Sequence, residues 1–305
     1  MKKLLVTGGT VFVSRFVAEY FKDQYDVFVL NRNTKPQVEG VTLIEADRHD
    51  LQGILKRYHF DAVIDVCAYN GEDISDLLDG LNPVEDFIMI SSSAVYPETN
   101  VQPFCEDQPV GANAIWGKYG TDKIEAEKCL SARMPNAYIL RPPYLYGPMQ
   151  NLYREPFIFD CAMQHRAFYL PKDGRMKLQF FYVGDLCRMI QAILEEHPEE
   201  HIFNVGNEDA VDIKTLVSVC YEVVGEPLVV EQVWDHDNQR DYFSFYDYEY
   251  VLDVSRQKKL LGETKNLKAG LRESFAWYLK HPNDAAKRGY IKFIDENFAK
   301  SKINH

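Results

Sequence analysis

Apolar positions along this chain follow two periods in turn. Lys3 to Thr7 is a short, nearly continuous apolar run, as expected of a strand buried on both faces. After a glycine turn, Val13, Phe16, Val17, Tyr20 and Phe21 recur three and four residues apart, which predicts one buried helical face. Strand-like runs return at Asp26–Leu30, Val41–Ala46, Ala62–Val66, Phe87–Ile90 and Ala137–Leu140. Helices are predicted over Leu51–Tyr58, Ile74–Leu81 and Tyr119–Ser131. This alternation implies right-handed βαβ units and an α/β fold with a doubly wound parallel sheet. Beyond Pro148 aromatic and polar residues mix through Phe157–Lys177 and again through Trp234–Tyr250, the pattern of a smaller lobe. Gln179–Glu196 and Ile202–Val205 read as a return to the sheet.

Charge and cysteine usage narrow the function classes. The 305 residues include 46 acidic and 34 basic ones, a formal net charge of −12. General nucleic-acid affinity depends on clustered Lys and Arg, so nucleic acid is not an expected partner. Lys258-Lys259 and Lys287-Arg288 read as solvated helix faces. Six cysteines (67, 105, 129, 161, 187 and 220) lie at least 24 residues apart with no C-x-x-C, so neither a metal site nor a disulfide framework is expected. The apolar run after Met1-Lys2-Lys3 is broken at once by Gly8-Gly9-Thr10, too soon for a signal peptide or a spanning helix. A cytoplasmic protein without membrane contact is the expectation.

Ligands of doubly wound sheets bind beyond the carboxyl ends of the strands, so the residues just after each strand carry the chemistry. The first strand is followed by Gly8, Gly9, Thr10, Val11, Phe12, Val13 and Ser14. Glycines there allow a tight turn that brings backbone N–H groups and a helix start to a pyrophosphate. The fingerprint is incomplete: Val11 stands where the backbone would approach phosphate, and Ser14 replaces the last glycine. Taken alone, an ordinary βα turn explains the segment equally well. After the second strand come Asn31 and Arg32 instead of the carboxylate that receives ribose hydroxyls in NAD sites. An Arg there suits a 2′-phosphate, which favours NADP over NAD, the alternative being a solvated loop residue. Asp47 and Arg48 follow the third strand, and Asp47 suits either an adenine amine or a helix N-cap.

After the fifth strand come Ser91-Ser92-Ser93, and further on Tyr119 and Lys123. Tyr and Lys four apart share a helical face, where the ammonium favours the phenolate. Such a Tyr can exchange a proton with an alcohol or sugar hydroxyl while a nicotinamide carries the hydride. A surface helix pair is the competing explanation when the spacing is considered alone. The order of glycine turn, acidic turn, serine turn and Tyr/Lys, each at a strand end, favours the chemical one.

With these motifs the chain resembles the extended short-chain dehydrogenase/reductases of the NAD-dependent epimerase/dehydratase family, over nearly its whole length. Leu140-Arg141-Pro142-Pro143-Tyr144-Leu145-Tyr146-Gly147-Pro148 is similar to the family segment that lies against the nicotinamide. Phe180–Leu186, Ile202–Gly206 and Leu252–Gly262 fit as well. The resemblance implies a Rossmann dinucleotide-binding domain at residues 1–150 plus about 178–206, and a substrate lobe with C-terminal helices at about 151–177 and 207–305. It implies catalytic Ser92, Tyr119 and Lys123. It also implies cofactor contacts from the glycine turn, Asn31, Arg32, Asp47 and Arg48, and further ones from Cys67, Ala68, Tyr69, Ser91, Tyr119, Lys123, Pro142, Tyr144 and Leu145. Ser93, Asn151 and Arg240 are the expected contacts of a sugar-nucleotide substrate, and for Arg240 a surface ion pair with Asp237 or Asp241 is the competing explanation.

The G-G-T turn, the Asp47-Arg48 pair and the Phe245–Gly262 region resemble an atypical subgroup similar to chloroplast stem-loop-binding proteins, relatives linked to RNA. A non-catalytic nucleotide-binding regulator or an RNA-associated protein is therefore the competing reading, against which the acidic charge speaks. Sugar-nucleotide 4,6-dehydratases carry an acidic pair just after the active-site hydroxyl residue. Ser93-Ala94 stands there, which leaves epimerisation or carbonyl reduction. Pairing of subunits through two long helices, a homodimer, is an expectation from the resemblance alone.

Overall fold

The computed structural model describes residues 1–299. Residues 300–305, the end of the expected 207–305 stretch, lie outside the described residues. In chain order the elements are β1 (Lys3–Thr7), α1 (Phe12–Phe21), β2 (Asp26–Asn31), β3 (Thr42–Glu45), β4 (Ala62–Asp65), α2 (Gly71–Gly80), β5 (Asp86–Ile90), α3 (Lys118–Arg133) and β6 (Tyr138–Arg141). They continue with β7 (Tyr144–Tyr146), α4 (Glu155–Met163), β8 (Phe168–Pro171), β9 (Lys177–Leu178), β10 (Phe180–Tyr182), α5 (Val183–Glu196), β11 (Ile202–Asn204) and β12 (Val211–Asp212). The last are α6 (Ile213–Val224), β13 (Val230–Val233), α7 (Ser255–Leu261), α8 (Leu267–Lys280) and α9 (Tyr290–Ile294).

Seven of the strands form one sheet in the order β11-β6-β5-β4-β1-β2-β3, and the pairings are parallel. Side chains alternate between its faces, as a pleated strand requires. Leu4 and Val6 enter one buried cluster with Val17 and Phe21 of α1 and Leu186, Ile190 and Ile193 of α5. Leu5 between them enters the other, with Ile74 and Leu77 of α2 and Ala126 and Leu130 of α3. The sheet is thus doubly wound, and the strand order reverses between β1 and β4, where such folds open a crevice at the carboxyl ends.

Two local elements differ from the sequence reading. The predicted Leu51–Tyr58 helix is a four-residue 3₁₀ turn, Ile54–Arg57. Gln52 and Gly53 both take left-handed backbone (φ 45° and 71°), which stops an α-helix from starting at Leu51. Helix α2 begins at Gly71, ahead of its apolar stripe, because Asn70 and Asp73 form a capping box.

The chain divides into two compact units. The first comprises Met1–Leu145, Phe181–Glu208 and Leu252–Thr264, and the second, among the described residues, Tyr146–Phe180, Asp209–Val251 and 265–299. The Leu252–Thr264 stretch is fastened in the first unit by named bonds. Asp253 N–H donates to Phe104 O (2.8 Å), Arg256 pairs with Asp107 (2.7 Å), and the Gln257 amide exchanges two hydrogen bonds with the Gly206 backbone (2.7 and 3.0 Å). Among the described residues no helix is long and apolar enough to cross a membrane.

Candidate active site

In the first unit the glycine turn has the backbone of an anion cradle. Gly8 and Gly9 take φ of 88° and 87°, a region costly for any residue with a Cβ. A Cβ at Gly9 would fall 2.5 Å from Val29 Cγ1, and one at Gly8 would fall 2.8 Å from Ser14 Oγ. The second contact explains the missing last glycine: Ser14 fits because its neighbour Gly8 is bare. Val11 has an extended backbone (φ −134°), open to any residue. Helix α1 starts with no side-chain cap and no acid in its first turn, so its first N–H groups are left for an anion. These features suit the pyrophosphate of a dinucleotide.

The end of β2 works partly inward. Asn31 Nδ2 donates to Gly8 O (2.6 Å), clamping the turn, and to Gln37 Oε1 (3.0 Å). Arg32 stays largely in solvent, 3.8 Å from Asp47. Asp47 caps a turn rather than a helix, accepting from His49 N–H (3.0 Å). Arg48 points away from solvent: its Nη2 donates to buried Asp65 Oδ2 (2.8 Å), and its Nε lies 4.0 Å from Asp73. His49, Glu72 and Asp76 bring ligand atoms within 4.8 Å of one another, with His49 hydrogen-bonded to Asp76 (2.7 Å).

The reactive side chains are set by β5 and α3. Ser92 follows β5 and caps a short 3₁₀ turn, its Oγ accepting from Ala94 N–H (3.1 Å). Ser93 is buried and anchored through its N–H to Pro142 O (2.9 Å). Helix α3 packs closely on this turn because Gly120 has no side chain; a Cβ there would lie 2.5 Å from Ala94 O. Gly120 thus brings Tyr119 and Lys123 up to the Ser92 turn. Tyr119 is 42% exposed, whereas Lys123 is 3% exposed. Lys123 Nζ donates to Ala68 O (2.6 Å) and Ile90 O (3.0 Å) and lies 5.4 Å from the ring centroid of exposed Tyr69. Tyr144 is buried edge-on to Trp116 and Leu145 packs on the sheet core.

Burial lowers the Lys123 pKa from the usual 10.5 to about 8, against the opposing pull of Asp65 and other acidic neighbours. Between about pH 8 and pH 10.5 the unfolded chain therefore holds the extra proton, so this titration adds stability as pH rises through that window. Lys123→Met removes it. The melting temperature of the variant minus that of the wild type is expected to fall between about pH 8 and pH 10.5. A difference independent of pH would show that Lys123 is not desolvated in this way.

Behind these residues lies a buried network whose pairing the sequence reading does not show, although it names Ser91 as a cofactor contact and Arg141 within the Leu140–Pro148 segment. Glu127, one turn beyond Lys123, receives Arg141 Nε (3.0 Å), Arg141 Nη2 (2.6 Å) and Ser91 Oγ (2.5 Å). Arg141 Nη1 also donates to Tyr96 Oη (2.8 Å), which donates to Asn204 Oδ1 (2.8 Å). The ends of β5, β6 and β11 are thereby tied to α3. The signal available in the sequence was a charge at a strand end beside a glutamate on the apolar side of α3.

A sequence profile of the NAD dependent epimerase/dehydratase family matches residues 4–206. The chain belongs to that family. It is 27% identical over 290 residues to the chloroplast stem-loop binding protein of 41 kDa b of Arabidopsis thaliana, covering 86% of this chain and 74% of that one. It is 25% identical over 274 residues to a UDP-glucose 4-epimerase of Corynebacterium glutamicum, with 75% and 82% covered. A crystal structure of UDP-glucuronic acid 4-epimerase from Bacillus cereus, in complex with UDP-glucuronic acid and NAD, superposes with TM-score 0.72 at 19% identity, over 91% of this chain and 99% of that one.

In this family member the remaining expected substrate residues, Asn151 and Arg240, belong to the second unit. Asn151 O accepts from Ala286 N–H (2.9 Å). Arg240 lies over the Tyr246 ring (4.6 Å) with Nη1 donating to Phe243 O and Ser244 O, while Asp241 pairs with His236 (2.9 Å). Glu155 of the same unit is wholly buried, which raises its carboxyl to about 7 even though it accepts a hydrogen bond from Gln150 (3.3 Å).

Proposed function

We propose that this chain is a nicotinamide-dinucleotide-dependent enzyme that oxidises and reduces a carbinol carbon of a sugar nucleotide, as an epimerase or carbonyl reductase. The observation that carries the reading is the buried Lys123 ammonium, one helical turn from Tyr119, on a helix that Gly120 brings against the Ser92 turn. When bound, the dinucleotide supplies the hydride acceptor and donor. Gly8, Gly9 and the start of α1 would hold its pyrophosphate. Ser92 Oγ orients the reacting oxygen by hydrogen bonding. Tyr119 Oη takes the hydroxyl proton in the oxidative direction and returns it in the reductive one. Lys123 adds positive charge beside the phenol and offers its remaining N–H to ribose. Ser93 and Ala94 do not supply an acid–base pair, so loss of water is not part of the proposal. The family and the two sugar-nucleotide epimerase relatives support the substrate class, and Arg240 with Asn151 is the proposed contact to its diphosphate.

The proposed cofactor is NADP, on the strength of exposed Arg32 at the end of β2 and of Asn31 in place of a carboxylate. Titration of dialysed protein with NAD, NADH, NADP and NADPH tests both proposals. Arg32→Ala is expected to weaken NADPH binding on the order of tenfold to a hundredfold and to leave NADH unchanged, the loss of one charge-assisted contact. Equal affinity of the wild type for NADH and NADPH would remove the NADP assignment. Binding of none of the four would remove the enzyme reading.

The similarity to a chloroplast stem-loop binding protein favours a second reading, an RNA-associated protein on the same fold. It predicts RNA retention that weakens steeply with salt. Absent or salt-insensitive retention disposes of it.

A further inference from the structure

The sequence reading places Asp65 inside the apolar strand Ala62–Val66, yet in the first unit it is a wholly buried carboxylate at the end of β4 with four donors. Its Oδ1 accepts from Thr7 Oγ1 (2.7 Å), Cys67 N–H (3.1 Å) and Ala68 N–H (3.1 Å). Its Oδ2 accepts from Arg48 Nη2 (2.8 Å). Three separate segments therefore converge on one side chain: the start of the glycine turn, the loop after β3 and the turn after β4. The last matters most, because Ala68 turns its carbonyl to Lys123 Nζ at 2.6 Å. One residue, Ala68, links the carboxylate through its N–H to the ammonium through its carbonyl.

We propose that Asp65 is a positioning residue for Lys123: it fixes the Ala68 carbonyl that receives the ammonium and supplies the negative charge that keeps this buried group protonated. The inference rests on the reading of Lys123 given above. Among the described residues Lys123 makes no ion pair of its own, and its hydrogen-bond acceptors are two carbonyls. The groups facing it are Asp65 at the end of β4, Cys67 and Tyr69 in the following turn, Asp73 on α2 and Glu127 on α3, with Tyr119 acting on Tyr69. Glu127 is neutralised by the bidentate Arg141. Asp73 is engaged by the N–H groups of Tyr69 and Asn70 and by His49. Cys67 is kept a thiol, since burial pushes it up to about 11. Asp65 is the strongest of the acidic influences on Lys123, and its competing cation is Arg48.

The test follows the ammonium itself. The full chain, free of dinucleotide, is labelled at lysine ¹³Cε and titrated by NMR, with the Lys123 signal assigned from its loss in Lys123→Met. Asp65→Asn keeps an oxygen for the N–H donors and removes the charge, and the Lys123 midpoint is expected to fall by about one pH unit or more. Because that variant strands Arg48, Asp65→Asn/Arg48→Leu is measured as well, with a smaller fall expected. Arg48→Leu alone, which frees Asp65 from its competitor, is expected to raise the midpoint, so any of the three that folds reads the answer. A midpoint unmoved by about 0.3 units overturns the proposal. In turnover assays the alkaline limb of kcat is expected to move with the NMR midpoint. A wild type that turns over no nucleotide sugar ends the catalytic reading, while the NMR midpoints still decide the role of Asp65.

Discussion

Tyr119→Phe is expected to lower kcat by about 10²–10⁴-fold, the usual worth of a positioned general acid or base. The substitution removes one oxygen from a ring that is 42% exposed, so stability should barely change. Dinucleotide affinity should change far less than kcat, because Tyr119 is one expected cofactor contact among many and those of the glycine turn and of Arg32 are untouched. The informative pattern is therefore a fall in kcat on a panel of UDP- and dTDP-sugars that far exceeds any change in Kd for the dinucleotide. A variant that keeps wild-type kcat would remove the proton-transfer role from Tyr119 and with it the mechanism. A fall confined to KM would reassign Tyr119 to substrate binding.

The second large effect concerns stability. Glu127 and Arg141 are both buried, and their bidentate pair also holds Ser91 and Tyr96. Glu127→Gln leaves the guanidinium buried without its counter-charge, which costs about 3–5 kcal/mol in comparable sites. For a chain of this size the melting temperature should fall on the order of ten degrees. Replacing both partners by apolar residues, Glu127→Met/Arg141→Leu, removes the stranded charge and is expected to recover most of that loss. Thermal melts of the two variants side by side decide the matter. A Glu127→Gln chain melting within about a degree of the wild type would mean that water or a rearranged partner compensates Arg141.

The parallel sheet was legible because a strand buried on both faces is a nearly continuous apolar run, and the helices between show their own period; the order of its strands was not read. The Leu51–Tyr58 stretch misled because its spacing is helical while Gln52 and Gly53 take a left-handed backbone, and apolar spacing carries no information about φ. Ser14 looked like damage to a phosphate turn; the contact with Gly8 that makes it fit joins positions six apart and shows only in three dimensions. The Tyr119/Lys123 spacing was visible as one helical turn. What holds Lys123 was not, since Ala68 and Ile90 contribute main-chain carbonyls, and any residue has those. Arg48 was legible as a charge at a strand end, but its partner Asp65 lies on another strand, so the inward direction of its side chain could not be seen.

The first unit is assembled from three non-adjacent stretches of chain, and this limits how the protein can be cut. A gene fragment ending near residue 145 would leave β6 without β11, exposing the strand edge where Ile202 to Asn204 pair with Ile139 to Arg141. Extending it to residue 208 would restore that edge but omit the partners of Phe104, Asp107 and Gly206. Nested C-terminal deletions should therefore yield insoluble product until the clone runs past Thr264, and split-protein complementation should need the 252–264 piece supplied in trans.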